Sequence, residues 1–178
     1  MPILTMRRFL PLVAAAVLAV LAGVLSYRYL AAPKLRETAE AAPELRFNTL
    51  DGKAVALRSL HGRWVLVNFW ASWCAPCMDE IPHLVQAQAD YASLGLQIIG
   101  PALDDAEAVK PVLGRFAMNY PVSADFASAD AAMRAFGNDR GVLPFTVLID
   151  PDGFIVQRHL GGLSGEALGE LLRRHLGH

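Results

Sequence analysis

The chain has two cysteines among its 178 residues, three apart in Trp73-Cys74-Ala75-Pro76-Cys77. Set across the first turn of a helix, thiols at this spacing come within bonding range, the first facing outward from the helix end and the second lying beneath it. Unpaired amides and the helix dipole favour a negative sulfur there, so Cys74 should be more acidic than an ordinary thiol and should be the attacking nucleophile. Its attack on a partner's disulfide gives a mixed disulfide. Cys77 then strikes the Cys74 sulfur, leaving the partner reduced and this chain oxidised. Pro76 suits the first helical turn, where no amide donor is needed.

Other chemistry for the pair is less well supported. A purely structural disulfide closing so small a loop adds little chain-entropy stabilisation. Zinc needs about four ligands; there is no second cysteine pair, and His61 and His83 read as solvated side chains. Covalent haem attachment wants a histidine after the second cysteine, where Met78 stands. Cu(I) held by Cys74, Cys77 and Met78, as in a metallochaperone, is the alternative of a different class. His159, His175 and His178 have no metal-ligand spacing, so neither metal nor cofactor is expected.

The pair needs a buried strand before it and a helix after it, and the sequence supplies both. Trp64-Val-Leu-Val-Asn-Phe-Trp70 is almost continuously apolar, the pattern of a central strand covered on both faces. From Cys77 to about Ser93, Ile81, Leu84, Val85 and Gln88 recur at helical spacing. Upstream, Leu45 to Leu50, the turn signal Asp51-Gly52 and Ala54 to Leu57 read as a hairpin, followed by a polar loop over 59–63. Downstream, Leu96 to Leu103 reads as a second central strand. Asp104-Asp105 opens a helix to about Met118 that Pro111 should kink or restart. Tyr120 to Ser123 is a short strand, Ser128 to Phe136 a helix, and Phe145 to Ile149 and Phe154 to Leu160 strands around the turn at 150–153. Ser164 caps a last helix to about His175. The pattern is an α/β sheet of mixed strand direction flanked by helices, with an N-terminal hairpin and an inserted strand-helix element.

The front of the chain is different. Hydrophobic residues make up 54% of the whole and charged residues 19%, and the apolar excess sits in Phe9 to Leu25, which carries no charge. With Ser26 and Tyr27 the segment 9–27 is just long enough to cross a hydrocarbon core of about 30 Å. Residues 1–30 are expected to be an uncleaved membrane anchor. A cleaved secretory signal is the alternative, against which stand the length of the run and the bulky residues behind it. Arg7 and Arg8 belong on the cytoplasmic side by the positive-inside tendency, which places the rest of the chain on the periplasmic or extracytoplasmic side of a bacterial inner membrane. Residues 31–44 are small, charged and proline-punctuated, a linker ahead of one domain over 45–178. Residues 31–178 carry 13 Lys and Arg against 17 Asp and Glu, a formal net charge of −4 with no basic run, which argues against a nucleic-acid partner.

The stretches Asn68-Phe-Trp-Ala-Ser-Trp-Cys-Ala-Pro-Cys77 and Gly141-Val-Leu-Pro-Phe-Thr-Val-Leu-Ile-Asp-Pro-Asp-Gly153 resemble the TlpA and ResA branch of the thioredoxin superfamily, over about Leu45 to His178. The resemblance implies a thioredoxin-like fold and a membrane-tethered thiol-disulfide oxidoreductase acting as a monomer. It would reduce disulfides in exported proteins, with apocytochrome c or a metalloprotein thiol pair as candidates, and would be recharged by a membrane electron donor; a dithiol oxidase would use the same residues. It also implies that Pro144 is a cis-proline facing the disulfide and that a bound peptide pairs with the backbone of Leu143. Trp73, Pro76, Leu143 and Pro144 are then the expected substrate contacts, while Trp70 is expected in the core. Thioredoxin has a buried carboxylate where this chain has Asn68, so the Cys77 proton goes to a group elsewhere or to water, and Glu80, one turn on along the helix, is the candidate. The competing reading makes Glu80, like Asp79, a helix-start charge. Phe145 replaces the threonine common after the cis-proline.

Overall fold

In a computed structural model of the chain, residues 16–26 and 40–177 are described. Residues 16–26 form an exposed helix, α1, and no helix among the described residues is long and apolar enough to cross a membrane. The remainder of the expected anchor and residues 31–39 of the expected linker lie outside the described residues. The compact unit that carries the cysteines begins at Glu40, inside the segment read as linker. Its backbone is the reason: the amide of Ile155 donates to the Glu40 carbonyl at 2.9 Å, and that of Ala42 to the Gly153 carbonyl at 2.9 Å.

The antiparallel hairpin β1 (Arg46–Asn48) and β2 (Ala54–Ala56) is a two-stranded sheet of its own. It docks on the edge of the main sheet, where the Leu50 amide donates to the Val122 carbonyl. The main sheet has five strands in the order β5-β4-β3-β6-β7: β3 (Trp64–Phe69), β4 (Leu96–Ala102), β5 (Val122–Ala124), β6 (Phe145–Ile149) and β7 (Ile155–Leu160). β3, β4 and β5 run parallel; β6 and β7 are antiparallel to their neighbours. The expected mixed sheet is therefore present, and β3 is its central strand.

Helix α2 (Ala75–Tyr91) follows β3, α3 (Ala106–Phe116) follows β4, α4 (Phe126–Ala135) follows β5, and α5 (Gly165–Leu176) closes the chain. Three boundaries differ from the sequence reading for local reasons. α2 begins two residues before Cys77 because Cys74 itself is its N-cap. α4 begins at Phe126, not Ser128, because the Asp125 carboxylate accepts the Ser128 amide at 2.7 Å. α3 carries Pro111 inside a single element and does not restart there; Val109 is fully buried and holds the helix to the sheet. The expected polar loop at 59–63 begins instead as a 3-10 turn, Leu57–Leu60, whose Leu57 is buried.

Gln88 solves a pairing problem. β5 meets β4 only from Gly100 to Ala102, which leaves the start of β4 without a strand on that side. The buried Gln88 amide takes that place: its Nε2 donates to the Leu96 carbonyl at 3.2 Å, and its Oε1 accepts the Ile98 amide at 2.7 Å. Gln88→Ala leaves two buried backbone groups unpaired, each costing about 1–3 kcal/mol. Denaturant unfolding should show a loss of about 2 kcal/mol or more with the slope unchanged; a loss within 0.5 kcal/mol, as at an ordinary surface position, would contradict this assignment.

Candidate active site

The cysteines sit where β3 hands over to α2. Cys74 and Cys77 form a disulfide with Cα atoms 5.3 Å apart. As N-cap, Cys74 points its Sγ at the end of the helix and accepts the Cys77 amide at 3.3 Å. Cys77 is completely buried and Cys74 is 4% exposed. The outward sulfur expected at position 74 is thus the more accessible of the two, but through a narrow opening. Trp73, 68% exposed, stands beside it, while Trp70 is fully buried and donates through Nε1 to the Gly100 carbonyl at 3.3 Å. Pro76 occupies the first turn of α2. The loop leading to the pair is held from β4: the Asp104 carboxylate accepts the Ser72 amide at 2.6 Å. Asp104-Asp105 together mark a capped helix start in the sequence; Asp105 performs the capping by accepting the Ala108 amide at 2.9 Å, which leaves Asp104 for the loop.

Leu143 and Pro144 lie at the start of β6, joined by a cis peptide bond. The Pro144 carbonyl accepts the Gly161 amide at 2.8 Å, whereas neither the amide nor the carbonyl of Leu143 has a hydrogen-bond partner among the described residues. Phe145 turns away from this loop into the core, stacked on Phe69 with ring centroids 5.8 Å apart.

Glu80 is not a solvated helix-start charge. It is 2% exposed, and both oxygens are held: Oε1 accepts Asn68 Nδ2 at 2.7 Å, and Oε2 accepts the Leu163 amide at 2.9 Å. The same Asn68 nitrogen donates to Thr146 Oγ1 at 3.0 Å across the β3–β6 pair. Burial pushes the Glu80 pKa above its ordinary value, and the Leu163 and Asn68 hydrogen bonds offset part of that rise. Leu163 and Thr146 were not candidates from sequence, since nothing local ties residues 83 and 66 positions away to Glu80. No group of three or more metal-ligating side chains occurs among the described residues. His83 and His61 are exposed, and His175 packs its ring on Trp64 at 5.5 Å.

A thioredoxin-like sheet with a disulfide capping the helix after its central strand defines a thiol-disulfide oxidoreductase. The chain belongs to the AhpC/TSA family, whose sequence profile matches residues 38–158. It is 32% identical over 134 residues to the thiol-disulfide oxidoreductase ResA of Bacillus cereus, covering 75% of each chain. It is 30% identical over 161 residues to the ResA of Halalkalibacterium halodurans, covering 88% of this chain and 89% of that one. Among solved structures it is similar to a thiol:disulfide interchange protein of the thioredoxin family from Chlorobium tepidum, at a TM-score of 0.70 and 31% identity over 78% of this chain and 97% of that one. These likenesses imply protein substrates.

Proposed function

We propose that the chain is an extracytoplasmic protein-disulfide reductase, tethered to the bacterial inner membrane through residues 9–27. Cys74 is its nucleophile and Cys77 its resolving thiol. The observation that carries the exchange chemistry is the buried Glu80 carboxylate, one helical turn beyond a cysteine that is itself fully buried; the direction follows from the reduction potential. A buried thiol must lose its proton before it can attack, and a base of raised proton affinity in the same layer is suited to take it. Cys74 needs no such help, because the α2 N-terminus stabilises its negative sulfur.

In the forward reaction the Cys74 thiolate attacks one sulfur of the substrate disulfide and the other leaves as a thiolate. Cys77, having given its proton to Glu80, attacks Cys74 Sγ. The bond from Cys74 to the substrate breaks, the Cys74–Cys77 bond forms, and the substrate departs with both sulfurs reduced. Two electrons have moved from this chain to the substrate, and a membrane donor returns them. Trp73 and Pro76 flank Cys74 along the chain, and with Pro144 they are the proposed substrate contacts; the unpaired backbone of Leu143 can pair with an extended segment of substrate. Exported polypeptides carrying a disulfide are the proposed substrates, with apocytochrome c or a metalloprotein thiol pair as candidates.

The test is electron flow. The reduced full chain should reduce a disulfide in an unfolded polypeptide, with a reduction potential below about −200 mV, in the range of reducing dithiol proteins. A potential near −120 mV would make it an oxidase using the same residues. Failure to exchange disulfides with any thiol or protein at neutral pH would remove the reading altogether.

A further inference from the structure

Among the described residues two buried side-chain polar atoms have no hydrogen-bond partner, Asn68 Oδ1 and the Tyr120 hydroxyl oxygen. Both lie in the layer beneath α2. The β3–β4 register pairs Val67 with Ile99 and bridges Trp70 to Ala102, so Asn68 stands beside Gly100. Tyr120 covers that glycine: a Cβ on Gly100 would fall 3.1 Å from Tyr120 Cε2 and 3.2 Å from Trp70 Nε1. A side chain here would push the tyrosine ring back from the sheet by a few tenths of an ångström.

Amide geometry then sets the directions. Asn68 Nδ2 is committed to Thr146 on the β6 side and to Glu80 above, which leaves Oδ1 on the opposite side of the amide, toward β4 and Gly100. One orphan is an acceptor and the other can donate. Tyr120 is also a wall of a surface groove lined by Leu50, Leu113 and Met118, so its 7% exposure links the buried layer to the outside.

We propose that Tyr120 is a positioning residue for Glu80: its hydroxyl donates to Asn68 Oδ1 through one buried water and fixes the amide with Nδ2 facing the carboxylate. A reversed amide would set an oxygen against the Glu80 anion. With the hydroxyl in place that reversal leaves the water's donor unmatched, so the anionic base is held ready for the Cys77 proton. A water joining two otherwise unpaired buried groups is an ordinary structural component. Burial foremost, and the Glu80 charge after it, raise the Tyr120 pKa, which puts the two groups within electrostatic reach. The groups facing Glu80 are Asn68 from β3, Thr146 behind it from β6, the Leu163 amide ahead of α5, Tyr120 ahead of β5 and, on α2 itself, Cys77; in the oxidised chain, where Cys77 is in the disulfide, only Tyr120 of these titrates, so the titration below is read on that form. The proposal rests on Glu80 serving as the base of the proposed function.

Tyr120→Phe in the full chain tests it, with the Glu80 carboxyl followed by carbon NMR against pH and the thermal midpoint recorded alongside. The expected result is a Glu80 titration moved upward by roughly half a unit to one unit, about a 3- to 10-fold change in proton affinity, with the midpoint lowered. The onset of pH-dependent disulfide exchange should move upward with it. An unchanged titration, or a midpoint that rises because an unpaired buried hydroxyl has been removed, overturns the proposal. Exchange by the parent chain is scored separately: activity with an unmoved titration refutes the Tyr120 link alone, whereas no activity refutes the function and leaves the titration to judge the link.

Discussion

Cys77→Ala should turn the chain into a trap that stays covalently bound to its substrates through Cys74. In the parent, the resolving thiol is tethered one turn from the mixed disulfide, and intramolecular attack of this kind has effective concentrations far above those of any free thiol. Without it the intermediate must wait for an external thiol, and its lifetime should lengthen on the order of 10³-fold or more. The substitution leaves the rest in place. Alanine is the best helix former, and the backbone amide that donates to Cys74 Sγ is retained. Cys74→Ala should trap nothing, because Cys77 is completely buried and no substrate sulfur can reach it. Non-reducing electrophoresis followed by mass spectrometry reads both outcomes. Adducts on Cys77, or none on Cys74, would sink the assignment of roles.

The parts of the molecule written locally in the chain are the parts the sequence reveals. An apolar run broken by Asn68 and followed by Cys-Ala-Pro-Cys contains its own strand, turn and helix start, and β6 with its preceding proline is as compact a signal. What the sequence hides is whatever depends on distant segments meeting. Glu80 reads from the sequence either as the acceptor of the Cys77 proton or as a helix-start charge, and its burial is hidden until α5's leading loop brings the Leu163 amide to one of its oxygens. Gln88 reads as one more position on an amphipathic stripe, yet its amide substitutes for a missing length of strand beside β4. Tyr120 carries no spacing signal; only the parallel register of β3 and β4 places it across Gly100 from Asn68. The one-residue scale matters too: by capping its own helix, Cys74 sets the start of α2 earlier than the apolar periodicity suggests.

Asparagine at position 68 gives the layer under α2 a division of labour. A carboxylate on β3 would stand about as far from Glu80 as the amide does, at 2.7 Å, and two acids that close cannot both ionise. The amide removes that conflict and supplies a donor to Glu80 instead. The acid has in effect been moved from the central strand to the helix that carries the cysteines, where it shares an element with Cys77.

Glu80→Gln should therefore cost activity in a pH-dependent way while leaving the fold intact. Glutamine is the same size, and its Oε1 can still accept the Leu163 amide; its Nε2 can donate to Asn68 Oδ1 once the asparagine amide reverses, with the Thr146 hydroxyl then donating in turn. No group is orphaned on the Glu80 side of the amide; on the Tyr120 side the reversal leaves one donor of the proposed water bridge unmatched, a cost confined to that bridge. The resolving step loses its base, for which general-base catalysis sets the scale at about 10²-fold or more in rate, and the rise of exchange rate with pH through the Glu80 titration should disappear. Stability moves the other way, and the sign follows from the direction of the pKa shift. Burial raises the Glu80 pKa in the folded chain, so the folded state binds the proton more tightly than the unfolded state does. That stabilisation is complete below the unfolded carboxylate pKa and is lost as pH rises through the higher folded value. Glutamine, never charged, suffers no such loss. Relative to the parent, Glu80→Gln should gain stability as pH rises through the raised Glu80 value, and that gain should be absent in acid. Stopped-flow exchange and denaturant unfolding across pH measure the two halves. Rates that follow the parent at every pH would show that Glu80 only holds α2 to Leu163 and takes no proton.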